Sequence, residues 1–276
     1  MKNTINIIGK LLNLEDPLIM GIINVTPDSF YKDSRYNPFQ EDFLEKAGQM
    51  IANGAGILDI GGYSTRPGAE EVNINEEIKR VTKAIDIIHS NFPEIPISID
   101  TFRSEVAREA IDAGASIVND VSGGALDEKM FDFIISKNLP YILMHSRGNP
   151  QNMASMTTYG ELYSEILSEL FSKANQLRKS GVKDIIIDPG FGFAKNQQQN
   201  FQLLQHLEIF QNENYPVLIG ISRKSMIYKL LNITAEETLN STSALHMLAL
   251  IKKTKILRVH DVKEAFQVKK LFKNLF

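Results

Sequence analysis

The run Gly56-Ile57-Leu58-Asp59-Ile60-Gly61 is followed by Ile78, Val81, Ile85 and Ile88 at helical spacing, and then by Ile95-Pro96-Ile97-Ser98-Ile99-Asp100. A short β-branched run, a one-faced helix and a second such run read as strand, crossover helix and parallel strand, because strands apolar along their whole length need cover on both faces. The same unit recurs on either side. Candidate strands lie at 18–24, 56–61, 95–100, 117–120, 139–145, 184–188, 217–222 and 256–260. Helical stripes include Phe43, Ala47, Met50 and Ile51, and later Leu162, Ile166, Leu170, Ala174 and Leu177. Eight strand–helix units in one chain predict an α/β fold, a single (β/α)8 TIM barrel, rather than an open sheet.

No linker or low-complexity tract divides the 276 residues, so one domain over 1–276 is expected. Residues 1–16 alternate weakly between apolar and polar and are expected to form a hairpin closing the barrel bottom. Directly after the eighth strand, Asp261-Val262-Lys263-Glu264 reads as a capping box opening the last helix. With 43% hydrophobic residues and a net charge of -3, the chain has no global field for nucleic acid or an acidic membrane, and neither is expected as a partner. No apolar run approaches the ~20 residues that span a bilayer, and a cytoplasmic location is expected. The absence of cysteine removes disulfides, thiolate nucleophiles and cysteine-held metals, leaving the chemistry to oxygen and nitrogen groups.

In such a barrel the active site lies at the C-terminal ends of the strands. In order, those ends carry Asn24, Asp59 with Gly61-Gly62, Asp100-Thr101, Asn119-Asp120, Met144-His145, Asp188-Pro189-Gly190, Ser222-Arg223-Lys224-Ser225 and Arg258-Val259-His260-Asp261. Wet loops account for any one of these polar ends. They do not account for carboxylates, amides and cations gathered at eight ends of strands otherwise apolar. Gly220-Ile221-Ser222-Arg223-Lys224-Ser225 lacks the spacer and the glycine before lysine of a nucleotide P-loop. His89, His206 and His246 fall within helical stretches, without the i, i+4 spacing of a zinc helix, and read as surface or packing residues.

Taken together and in order, residues 20–30, Asp59-Ile60-Gly61-Gly62, Ser64-Thr65-Arg66-Pro67-Gly68-Ala69, Asp188-Pro189-Gly190-Phe191-Gly192-Phe193, Ser222-Arg223-Lys224-Ser225 and Arg258-Val259-His260-Asp261 closely resemble the dihydropteroate synthase family. The resemblance covers nearly the whole chain. It implies a transferase of folate biosynthesis that joins 7,8-dihydropterin-6-ylmethyl diphosphate to 4-aminobenzoate, releasing diphosphate, with Mg²⁺ as cofactor and a homodimer as the assembly. By motif, Asn24 resembles the metal ligand, and Asp100, Asn119, Asp188 and Lys224 the pterin-binding set. Thr65, Arg66, Arg258 and His260 resemble the diphosphate contacts, with Arg66, Lys224, Arg258 and His260 the catalytic set. Phe193, Pro67, Lys224 and Ser225 resemble the wall on which the aminobenzoate ring rests. Tyr63 departs from the family pattern, in which glutamate is frequent there.

Chemistry supports those residue types. The pterin presents paired N–H donors that a carboxylate, Asp188 or Asp100, accepts in parallel, while Asn119 and Lys224 offer donors to its ring acceptors. Two other readings stay open: a pterin-dependent methyltransferase domain, against which stands the lack of an Asp-x-His-x-x-Gly corrinoid motif, and a non-catalytic pterin-binding paralogue, which would not need a diphosphate clamp.

Overall fold

Side chains of a barrel strand alternate between the axis and the helix layer, and that alternation sorts this chain into a floor, a wall and a mouth. A computed structural model describes residues 3–7, 9–26, 37–38, 42–63, 71–211 and 214–276. Its elements run β1 (Thr4–Ile7), β2 (Lys10–Asn13), β3 (Leu18–Asn24), α1 (Phe43–Ala52), β4 (Ile57–Gly61), α2 (Ile74–Asn91), β5 (Ile97–Asp100), α3 (Ser104–Asp112), β6 (Ile117–Asp120) and α4 (Lys129–Lys137). They continue with β7 (Tyr141–Met144), α5 (Leu162–Lys179), β8 (Ile185–Asp188), α6 (Gln197–Gln205), β9 (Leu218–Ile219), α7 (Ser225–Leu231), α8 (Leu239–Ile251), β10 (Ile256–Val259) and α9 (Val262–Leu275).

Eight parallel strands pair in the order β8-β7-β6-β5-β4-β3-β10-β9. A parallel bridge between Ile187 and Val217 joins the two ends, so the expected (β/α)8 barrel is the observed fold. Several strands are shorter than their apolar runs. Pro96, Pro140 and Pro216 sit at the starts of the fifth, seventh and ninth strands, where a residue without an N–H cannot join the ladder. Beyond β9 the backbone reaches Arg223 with φ 54°, a left-handed turn that ends the extended run predicted at 217–222.

Outward residues such as Ile23, Leu58, Ile99, Val118, Leu143, Ile187 and Val259 pack under the helices in the main core. Inward residues at the lower level, Met20, Ile57, Ile117, Ile142, Ile186, Leu218 and Ile256, form a second cluster together with Ile5, Ile7 and Leu14. The antiparallel β1–β2 hairpin, paired from Thr4 with Asn13 to Ile7 with Lys10, thus seals the axis from below. Above that floor the inward positions become polar on most strands, Met144 on β7 being an exception.

The capping box expected at the last helix does not form. Asp261 makes no cap hydrogen bond; its carboxylate instead receives Arg223 Nε at 2.9 Å and Nη2 at 2.7 Å. A bidentate charged pair, 6% and 13% exposed, outcompetes a single bond to a helix N–H.

On α8, His246 is 2% exposed and its Nε2 has no hydrogen-bond partner among the described residues. Burial depresses its pKa from 6.5 to about 4. The unfolded chain therefore takes up a proton that the folded chain refuses, so stability falls as pH drops below 6.5 and is untouched above it. Urea unfolding at pH 7.5 and pH 5 should show His246→Leu losing about 2 kcal/mol less stability between the two than the parent chain. Equal losses would mean that His246 is not held neutral.

Candidate active site

At the upper level the inward positions are Asn24 on β3, Asp59 and Gly61 on β4, Asp100 on β5, Asn119 on β6, Met144 on β7, Asp188 on β8, and Arg258 with His260 at the end of β10. All of them except Asp59 and Gly61 line a cavity of about 550 Å³, together with Phe191, Phe193, Ser222, Lys224, Ser225 and Tyr228. The mouth therefore gathers Asn24, Asp100, Asn119, Asp188, Phe193, Lys224, Ser225, Arg258 and His260, all named from the sequence. Thr65, Arg66 and Pro67, with most of the first loop, lie outside the described residues.

The centre of the mouth is a guanidinium between two carboxylates. Arg258 Nε donates to Asp59 Oδ2 at 2.6 Å, and its Nη2 donates to Asp100 Oδ2. Asn119 Nδ2 also donates to Asp59 Oδ2, at 3.0 Å. Asp59 is fully buried on a strand of five buried residues; these donors satisfy its Oδ2, while Oδ1 has no partner among the described residues. The sequence presents it only as part of a motif; its inward phase, two residues beyond the floor residue Ile57, is the signal that marks it. Arg258 keeps three of its five N–H groups for a ligand; burial works against its charge, but Asp59 and Asp100 outweigh that and hold it protonated.

The two carboxylates expected to meet a pterin, Asp100 and Asp188, differ in character. Burial raises Asp100 to about 7, opposed by Arg258 and reinforced by Asp59. Asp188 is also raised by burial, opposed by a bond from Gly190 N to its Oδ1 at 2.8 Å and by Lys224 and Arg258. Each carboxylate thus has one oxygen engaged, Asp100 by the Arg258 guanidinium and Asp188 by a backbone N–H. Lys224 sits with Nζ 4.4 Å from the centroid of the Phe193 ring. Its pKa falls to about 8, first through burial and then through Arg258, while Asp188 and Asp100 oppose the shift.

His260 is held neutral. Burial and the neighbouring Arg258 and Lys224 push it down to about 3, and Nδ1 lies 3.2 Å from Ser222 Oγ. It offers a neutral imidazole rather than a cation.

Two strand-end residues grouped with the mouth turn elsewhere. Arg223 borders the cavity but spends its guanidinium on Asp261 and on the carbonyls of Ala235 and Glu236, at 3.0 and 2.9 Å, bracing the 222–236 segment against α9. Asp120 occupies an outward phase on β6. Its carboxylate receives Ser122 N and Oγ, Gly124 N and the Tyr141 hydroxyl, the last at 2.7 Å, and so shapes a turn. Tyr63, at the rim, stands edge-on to Phe102 with centroids 5.1 Å apart and has Arg103 5.0 Å over its ring.

For a divalent ion the described residues hold no cluster of three His, Asp or Glu. The donors that do exist are the Asn24 carboxamide at the end of β3 and the Thr26 hydroxyl, whose buried Oγ1 lacks a partner in the described structure. A hard cation that keeps water and substrate oxygens as most of its shell fits such a sparse neutral set.

Residues 20–260 match the family of pterin binding enzymes. Dihydropteroate synthase of Escherichia coli (strain K12) is 40% identical over 265 residues, covering 94% of this chain and 92% of that protein. The crystal structure of the Yersinia pestis dihydropteroate synthase with a sulfonamide drug superposes with a TM-score of 0.92 at 35% identity, over 98% of both chains. That of the Thermus thermophilus enzyme in complex with 4-aminobenzoate gives 0.87 at 32% identity, over 99% of this chain and 100% of the other. With fold, order of strand-end residues and full-length similarity in agreement, the chain belongs to the pterin-binding enzyme family, among the dihydropteroate synthases.

Proposed function

We propose that the mouth binds 7,8-dihydropterin-6-ylmethyl diphosphate against Asp188, Asn119 and Lys224, and 4-aminobenzoate against Phe193, Pro67, Lys224 and Ser225, to give 7,8-dihydropteroate and diphosphate. The observation that carries this reading is the convergence of Asp188, Asn119, Lys224 and Arg258 on one cavity of about 550 Å³. In the reaction the amine lone pair forms the new C–N bond, the C–O pair leaves with diphosphate, and the amine nitrogen then loses a proton. An aromatic amine is neutral at pH 7, so no general base is needed to expose its lone pair. The electron-rich pterin ring can carry positive charge as the C–O bond breaks, which makes charge on the departing diphosphate the main barrier to lower.

The described charges in the mouth bear on how that is done. Asp59 and Asp100 already compensate Arg258, and Asp188 stands near Lys224. An incoming diphosphate therefore finds little uncompensated positive charge at the centre of the mouth, Lys229 on the exposed edge of the lining being the exception. This supports roles for Arg66 and Thr65 and for Mg²⁺ held through Asn24, whose Lewis acidity would offset the charge of the leaving group. Arg258 has free N–H groups for the diphosphate, and His260 supplies a neutral donor.

A cytoplasmic site of action belongs to the same proposal, because a diphosphate substrate does not cross membranes unaided. No helix among the described residues is long and apolar enough to span one. Homodimerisation is supported by α9 and the residue that caps it, where Leu271, Leu275 and Phe276 are 59%, 68% and 75% exposed. Sedimentation velocity at micromolar concentration should give a dimer that Leu275→Glu dissociates; a monomeric parent chain would remove this part.

The reaction itself is tested by Mg²⁺-dependent formation of pteroate from the two substrates. Asp188→Asn should weaken binding of the pterin diphosphate by about 10- to 100-fold, a buried mismatch of ~1–3 kcal/mol. Gly190 N would claim the one amide oxygen, turning an NH₂ group toward the pterin donors. Calorimetry with near-parental affinity would refute the assignment of Asp188.

Ordered binding follows from the same charge arrangement. A sulfonamide or 4-aminobenzoate should bind tightly only when diphosphate and Mg²⁺ are present, and Arg66→Ala should weaken that binding although its charge serves the anion. Equal affinity for the bare chain, measured by titration calorimetry, would mean that the ring pocket exists before the diphosphate enters.

A further inference from the structure

Behind the wall of the mouth, Lys195 is only 7% exposed. Its ammonium donates to Gly190 O at 3.1 Å, Phe193 O at 3.0 Å and His145 Nδ1 at 2.9 Å. His145 O lies at the edge of reach at 3.5 Å, so the three N–H groups of the protonated form all find acceptors, although burial lowers the lysine's pKa to about 7. In its ammonium form Lys195 only donates, which leaves His145 Nδ1 as the acceptor and puts the ring proton on Nε2, toward Glu169 Oε2 at 3.1 Å. Glu169 in turn accepts Arg147, and the chain of charges ends at the surface.

The turn above this ammonium is one that few contacts other than hydrogen bonds could fix. Gly190, Gly192 and Ala194 all have positive φ, at 71°, 81° and 48°. At Gly190 a β-carbon would fall 1.9 Å from the His145 carbonyl oxygen, so only glycine allows the approach. Gly192 N donates to Asn200 Oδ1 at 2.7 Å, Tyr159 Oη donates to Ala194 O at 2.9 Å, and Asn200 Nδ2 donates to Lys195 O at 3.1 Å. The product of all these bonds is the position of the Phe193 ring beneath Lys224.

We propose that Lys195 is a positioning residue, a tripod that joins the ends of β7 and β8 and sets where Phe193 stands against Lys224, and thereby the aminobenzoate side of the mouth. It touches no substrate. Its effect passes through the 190–194 turn, and the inference rests on the reading above that Phe193 forms that side.

The chain contains no tryptophan, so Phe193→Trp creates a single fluorescent reporter on the turn itself. Adding Lys195→Met should shift its emission to the red and lower its anisotropy. In the otherwise unchanged chain, Lys195→Met should raise KM for 4-aminobenzoate about tenfold or more while kcat stays within about threefold, the signature of lost ground-state positioning. Unchanged emission with unchanged KM, whatever the melting temperature does, overturns the proposal, as does a fall in kcat at constant KM. Should Lys195→Met fail to fold, Tyr159→Phe removes one bond from the same turn. A KM raised about threefold at constant kcat then supports the proposal, and an unchanged KM overturns it. The fluorescence comparison uses no substrate, so a parent chain that makes no pteroate would defeat the functional reading and leave this inference to be decided by the reporter.

Discussion

Arg258 reaches from β10 across the barrel mouth to Asp59 on β4 and Asp100 on β5, and the rest of the site is arranged around that bridge. A buried guanidinium and a fully buried carboxylate are each costly alone and tolerable together, provided their geometry is good. The pairing can form only if strands separated by most of the chain arrive with the same inward phase. Closure of the sheet and existence of the site are thus one condition. Asn119, sharing the Asp59 oxygen, ties β6 into the same arrangement.

This bridge also gives the mouth its chemical character. Arg258 is already answered by carboxylates, the mouth's histidine is neutral, and Asp188 is braced by a backbone N–H. A site so balanced recognises a polar heterocycle through hydrogen bonds rather than through net charge. Positive charge for a leaving anion must then come with the anion or from the loops above. The 64–70 stretch, outside the described residues, contains Arg66.

The barrel was legible because period-two apolar runs and period-3.6 stripes alternate along the whole chain, and most of the mouth was legible because Asn24, Asp100, Asn119, Asp188 and Arg258 each end an apolar strand. What the sequence left open were partnerships. Asp261 reads locally as a helix cap, yet Arg223, distant in sequence, offers it two charged bonds. Asp120 and Asn119 are neighbours in one run, and only strand phase separates a turn-former from a mouth residue. Lys195 ends a glycine-rich motif that looks like any polar loop. Its importance appears only when His145, fifty residues away, is brought beside it.

The hairpin beneath the barrel has a consequence for traffic. With Ile5, Ile7 and Leu14 filling the axis among seven inward strand residues, the interior is a blind well rather than a tube. Every molecule that enters, every water displaced and every product must use the same rim. A compound lodged at the upper level therefore obstructs not only a rival for its own place but also the exit of whatever lies deeper. For a reaction with two substrates and two products, the depth at which each group sits becomes a schedule for its departure.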